Sequence, residues 1–444
     1  MNETISSMRT HIGFFGLRNV GKSSLVNAVT GQELSIVSDH LGTTTDPVRK
    51  AMEVLPLGPV VIIDTPGLDD EGSLGEKRVE RTKKVLSEID LGILVMDARK
   101  GLSQKEGELI GQFREKGLPF IIVHNKADLL SREMCVSLTS DSAEGRVLGG
   151  LDDSGSVFGK KIEKHDPGSI FGTGKSGIAG ADEAAPEIYV SARTEENISE
   201  LKDLIASYAL KAARSREKKT ILAGLVRPGD LCLLVIPIDG AAPKGRLILP
   251  QQMVLRELLE VHAMGVCCQA EEVEGALKGL SKPPALVITD SQAFGKVSSL
   301  VPDEINLTSF SILMARYKGG LDSLIAGART LRSLRDSSFV LISEGCTHHR
   351  QCGDIGSVKL PAWIRGCSGA CPAFEFSSGG DFPDENGLKR YSLIVHCGGC
   401  MLNEREMESR QQRAAAAGVP IVNYGIAIAE MHGLLSRALR PLGY

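Results

Sequence analysis

Residues 11–31 read HIGFFGLRNVGKSSLVNAVTG, and this stretch decides the fold of the first third of the chain. An apolar run ends at Gly16, four residues lead to Gly21-Lys22-Ser23, and a helix-forming segment follows. A strand, a glycine-spaced turn and a helix in that order make a phosphate-binding loop. Glycines let backbone amides close on phosphates, Lys22 neutralises the β and γ groups, and the Ser23 hydroxyl is placed for Mg2+. Gly16, Asn19, Val20, Gly21, Lys22, Ser23 and Ser24 are the expected nucleotide cradle.

Further loops follow in order. VVIID (60–64), LGILVMDA (91–98), PFIIVHNK (119–126) and EIYVSA (187–192) are nearly continuous apolar runs, the pattern of strands buried on both faces of a parallel sheet. Asp64 ends one of them and opens Asp64-Thr-Pro-Gly67, setting a carboxylate near the magnesium shell and the Gly67 amide near the γ-phosphate. Asn125-Lys126-Ala-Asp128 ends another. The Asp128 carboxylate can accept from guanine N1 and the exocyclic amine, which adenine cannot supply, so GTP is selected over ATP. Ser191 and Ala192 supply the remaining base-side contacts.

This set resembles the Era and TrmE type of translation-factor-related GTPases, through GLRNVGKSSLVNAVTG, LGTTTD and DTPG. The resemblance implies that Thr44 closes over magnesium and γ-phosphate, and makes Lys22, Asn19 and Thr44 the catalytic candidates. Leu68 stands where Ras-like proteins carry a water-orienting glutamine, and leucine cannot polarise water. Asn19 matches the asparagine that helps hold K+ in TrmE-like members; the alternative is that it only stabilises its loop. Glu76 and Glu80 either orient water or form a solvated helix face.

A chain of 444 residues exceeds one core, and three domains are expected. The formal net charge of −4 counts against a nucleic-acid partner. No apolar run is long enough to cross a bilayer and no leader pattern opens the chain, so a cytoplasmic protein without a membrane partner is expected. In that compartment the ten cysteines are metal ligands or buried thiols rather than disulfides. Between 131 and 186 the pattern fails in Gly, Ser and Asp-rich sequence, read as a disordered insertion.

Cys346-Thr-His348 follows the strand FVLISEG, and His396-Cys397-Gly-Gly-Cys400 follows YSLIVH. Ligands gather outside the carboxyl ends of strands in an open α/β sheet, so the two groups can converge. Cys397 and Cys400 have the spacing that turns two thiolates to one metal. Three cysteines, Cys346, Cys397 and Cys400, would hold three irons of a 4Fe-4S cluster and leave one to a weaker ligand among His348, His396 and Glu404. A tetrahedral zinc site is the alternative. Cys232, Cys267 and Cys268, in or beside apolar strands, read as buried thiols, whereas Cys352, Cys367 and Cys371 either line the cluster pocket or are simply buried.

The whole arrangement resembles the HydF family of GTPases that mature FeFe-hydrogenase. Its Cys-x-His, long gap, His-Cys-x-x-Cys pattern is met by Cys346, His348, His396, Cys397 and Cys400. The resemblance implies a carrier of the di-iron precursor of the hydrogenase subcluster, acting as a homodimer with radical-SAM maturases and apo-hydrogenase. The expected fold is α/β throughout: a P-loop GTPase domain over 1–219, then a dimerisation domain over 220–336 and a cluster domain over 337–444, both with mainly parallel sheets. The competing reading is an Era-like GTPase of ribosome or tRNA metabolism with a zinc-stabilised tail; a redox-sensing GTPase is a third.

Overall fold

The computed structural model describes residues 9–31, 48–54, 58–65, 67, 82, 84–130, 147–148, 150–151, 157–158, 185–215, 220–238, 247–345 and 354–444. Two compact units, 1–217 and 218–444, make up the chain.

In the first unit the apolar runs form a seven-stranded sheet ordered Val48–Val54, Gly58–Asp64, Thr10–Phe15, Leu91–Asp97, Phe120–Asn125, Glu187–Tyr189, Val147–Leu148. All neighbours are parallel except the first pair, a hairpin. Successive side chains point to opposite faces, so Phe14, Ile93 and Val123 pack with Leu25 and Leu201 on one side. Phe15, Leu94 and Ile122 meet Leu109 and Phe113 on the other. Helices Lys22–Thr30 and Ile198–Ser215 therefore cover one face and Gln104–Glu115 the other. The last of these begins at a reciprocal cap, Ser103 with Glu106, which satisfies two orphan amides. Of the expected insertion at 131–186, the described part includes three two-residue strands, one of which joins the sheet.

The second unit holds two four-stranded sheets, every pair parallel. One is ordered Met264–Cys268, Leu231–Val235, Leu286–Thr289, Leu307–Ser309. The other is ordered Ala373–Ser378, Phe339–Glu344, Leu393–His396, Ile421–Asn423. One core runs through both, from Leu233, Val287 and Phe294 to Val340, Val395 and Ile426. Helix Leu321–Arg329, read from the sequence with the middle segment, lies on the last strand: a Cβ at Gly327 would stand 2.0 Å from the Ile421 carbonyl oxygen. Arg437 adds hydrogen bonds to the carbonyls of Ser298, Val301 and Pro302.

Cys232 is fully buried, and burial pushes its thiol up to about 11. Cys267 does not follow that reading. It is exposed, because Met264–Cys268 is an edge strand with one side uncovered. Among the described residues no helix is long and apolar enough to cross a membrane.

Candidate functional site

The phosphate loop leaves the carboxyl end of Thr10–Phe15 and opens the helix Lys22–Thr30. Two positions in it tolerate only glycine. A Cβ at Gly16 would lie 2.1 Å from the Val95 carbonyl oxygen, and Gly21 has φ 89° with Asn125 Nδ2 2.4 Å from where its Cβ would stand. That absence of side chains is the space a phosphate needs. Lys22 is buried and its Nζ donates to the Gly16 and Leu17 carbonyls at 3.0 and 2.8 Å. Ser23 Oγ donates to Asp64 Oδ2 at 2.8 Å, joining the hydroxyl and carboxylate read as magnesium neighbours, and such hard oxygens suit Mg2+. Asn19 is exposed at φ 61°, a left-handed conformation asparagine accepts more readily than most residues. Ser24 is exposed on the first helical turn, and Gly67 follows the Asp64 strand.

Asn125 ties the two sides of the pocket together. Its Nδ2 donates to the Val20 carbonyl at 2.9 Å and its Oδ1 accepts from Ala192 N at 3.0 Å. Lys126, at φ 67°, runs from the Asn19 carbonyl (2.6 Å) to Asp97 Oδ2 (3.0 Å). Ser191 Oγ donates to Asp128 Oδ1 at 2.7 Å, which orients the carboxylate expected to read guanine. Asp97 and Arg99 escaped the sequence reading. Arg99 pairs with Asp97 at 2.8 Å, and this hydrogen bond holds the buried carboxyl well below the ordinary range, so Lys126 always has an anion to lean on. The available signal was position: Asp97 ends its strand as Asp64 does. Thr44, Leu68, Glu76 and Glu80 lie outside the described residues.

In the second unit Phe339–Glu344 and Leu393–His396 run side by side, with Ser343 opposite His396, so Gly345 and Cys397 leave the same end of one sheet. Cys397 Sγ accepts from the amides of Gly345 (3.0 Å) and Gly399 (3.3 Å). Burial pushes this thiol up, and the two amides pull it back toward thiolate. Gly399 sits at φ 60°, where a Cβ would strike Met407 Sδ at 2.5 Å. Amide donors aimed at sulfur on a tight glycine turn are the surroundings a cluster thiolate uses, and Gly345 directly precedes Cys346. Cys400 and Glu404 are partly buried nearby. Cys346, His348 and Cys352 lie outside the described residues, and among the described residues no three metal-ligating side chains gather.

His396, one of the candidate ligands, is hydrogen-bonded at both ring nitrogens. Its Nδ1 donates to the Cys397 carbonyl at 2.7 Å, and its Nε2 accepts from Arg410 Nη1 at 3.0 Å, since arginine has no acceptor. Burial, with the Arg410 charge beside it, pushes the imidazole down to about 3, so it stays neutral. Arg410 is paired with Glu406 at 2.8 Å, both buried. Both ring nitrogens are thus spent on holding the cysteine loop to helix Glu404–Ala416. Cys371 N donates to Asp336, ahead of strand Phe339–Glu344, so Cys367 and Cys371 belong to the amino end of this parallel sheet, opposite the cysteine loop.

A further cation was invisible from sequence. Lys318, at the end of helix Phe310–Lys318, is buried and its Nζ donates to the carbonyls of Gly399 and of Leu402, the latter at 3.0 Å. Burial lowers its pKa, and Cys400, Cys397 and Glu404 act to raise it.

Residues 322–441 match the hydrogen maturase F tetramerization domain, residues 221–319 the hydrogen maturase F dimerization domain, and residues 11–126 a 50S ribosome-binding GTPase. The chain is similar to the tRNA modification GTPase MnmE of Laribacter hongkongensis, 40% identical over 128 residues, 29% of this chain and 28% of that protein. GTPase Der of Wolinella succinogenes is 42% identical over 128 residues, 28% of this chain and 26% of its own. The chain thus spans a little over a quarter of these curated relatives' length. The first unit is a GTPase domain, and the second carries the two assembly domains. A GTPase domain followed by both of those modules in order places the chain in the hydrogen maturase F family of GTPases.

Proposed function

We propose that this chain is a GTP-hydrolysing carrier that binds a 4Fe-4S cluster and holds a di-iron precursor for transfer to apo-FeFe-hydrogenase. The observation that carries it is the Cys397 sulfur, accepting two backbone amides beside the strand end that leads into Cys346, in a unit matched to hydrogen maturase F modules. Cys346, Cys397 and Cys400 would hold the cluster, with His348 or Glu404 nearest the remaining iron. When bound, the cluster supplies one iron open to exchange. The dimer forms through residues 221–319, the maturases that build the cargo's ligands are separate radical-SAM proteins, and the chain works in the cytoplasm. The ribosome or tRNA alternative finds no support in the second unit, where both matched modules belong to hydrogenase maturation.

In the first unit Lys22 neutralises the phosphates, Ser23 and Asp64 hold Mg2+ with Thr44, the Gly67 amide faces the γ-phosphate, and Asp128 reads guanine. With leucine at 68, Asn19 and a K+ ion supply the charge that an arginine would bring. Hydrolysis is therefore expected to be slow in sodium and severalfold faster in potassium, read as phosphate release at constant ionic strength; equal rates would remove Asn19 from this role. The carrier role is tested by loading the full chain with its maturases and mixing it anaerobically with apo-hydrogenase. Hydrogen evolution should appear only with loaded carrier. A loaded carrier that activates nothing would leave a GTPase with a cluster and no transfer role.

A further inference from the structure

Lys318 stands in the segment matched to the dimerization domain, whereas the cysteine loop it reaches lies in the segment matched to the tetramerization domain. A lysine at a helix end is normally solvated, its charge merely favourable to the helix dipole. This one is only 7% exposed and is aimed at another segment, donating to the carbonyls on either side of Cys400, those of Gly399 and Leu402. Among the described residues no carboxylate lies within ion-pair distance of it; the acidic groups acting on it are Cys400, Cys397 and Glu404. Burying an ammonium without an ion-pair partner is costly unless something anionic repays it.

The approach is also fixed from behind. Gly319 and Gly320 both take positive φ directly after Lys318, and a Cβ at Gly320 would fall 2.0 Å from Gln411 Oε1. Gln411 Nε2 donates to the Gly319 carbonyl at 3.3 Å, so the helix end is clamped to the helix that follows the cysteine loop. From this helix end the Lys318 ammonium reaches both carbonyls.

We infer that Lys318 is a positioning residue for the cluster: its ammonium fixes the Cys397–Cys400 turn and balances the negative charge of the thiolate-bound cluster, linking the assembly domain to the metal site. The inference rests on the cluster reading above. A cluster's potential follows its net charge and the hydrogen bonds around it, so removing a buried cation makes reduction harder. Losing charged hydrogen bonds to the turn also loosens its grip on iron.

The test uses full-length chain reconstituted anaerobically with iron and sulfide, as wild type, Lys318→Met, Lys318→Gln and Lys318→Arg, each checked for folding by circular dichroism. Lys318→Met should lose iron to a chelator on the order of tenfold faster than wild type, and its midpoint potential, titrated with dithionite and read by electron paramagnetic resonance, should move to more negative values. Lys318→Arg, keeping the charge, should stay near the wild-type potential. If the Met variant does not fold, Lys318→Gln, which keeps a donor without the charge, should show the same shift in potential. Folded Met or Gln variants with wild-type potential and iron-loss rate overturn the role of Lys318 alone. A wild type that takes up no iron overturns the cluster reading and this inference with it.

Discussion

Lys22→Ala should abolish GTP hydrolysis, lowering steady-state phosphate release by roughly a thousandfold or more, the scale seen when a preorganised charge-stabilising donor is removed. Lys22 begins its helix behind a loop where glycine at 16 and 21 leaves no room for Cβ atoms, so its Nζ is the one ammonium of the phosphate loop itself. It now donates to the Gly16 and Leu17 carbonyls at 3.0 and 2.8 Å, and these neutral acceptors are readily exchanged for phosphate oxygens. Nucleotide affinity should fall with the rate. Cluster uptake should not, because the cysteines belong to the other unit. A variant hydrolysing within tenfold of wild type would show that phosphate charge is met elsewhere.

Cys397→Ser should eliminate stable cluster binding, as should Cys400→Ser and Cys346→Ser. Serine at 397 can still accept the Gly345 and Gly399 amides, so the turn keeps its shape, but its hydroxyl stays protonated at neutral pH and is a poor substitute for the soft thiolate that cluster iron selects. Changes at His348 or Glu404 should alter the spectrum without removing the cluster. His396→Ala should act differently, by releasing Arg410 and the Cys397 carbonyl and loosening the loop as a whole. GTP hydrolysis should survive every one of these changes. A cluster that persisted in Cys397→Ser would move the site to other thiols.

What could be read from sequence was chemistry packed into contiguous residues. Gly16 to Ser23, Asn125 to Asp128 and His396 to Cys400 each gather their candidate groups within a few residues of chain, and strand periodicity shows where those turns sit. Tertiary partners left no such trace. Lys318 meets Gly399 and Leu402 from some eighty residues away, and Arg410 takes up the second nitrogen of the histidine beside Cys397. Apolar periodicity likewise shows that a strand is buried but not against what. The single core that Leu233 and Val340 share across the two sheets of the second unit could not be read from either sheet's strands alone. Cys267 read as buried because sequence does not tell an edge strand from a central one.

Iron and acid-labile sulfide, measured per chain after anaerobic reconstitution of the wild type and of Cys397→Ser, bear most directly on the central claim. The account predicts about four irons and four sulfides per chain in the wild type, in a brown protein, and neither in the variant. A colourless wild type holding zinc and no sulfide would contradict it.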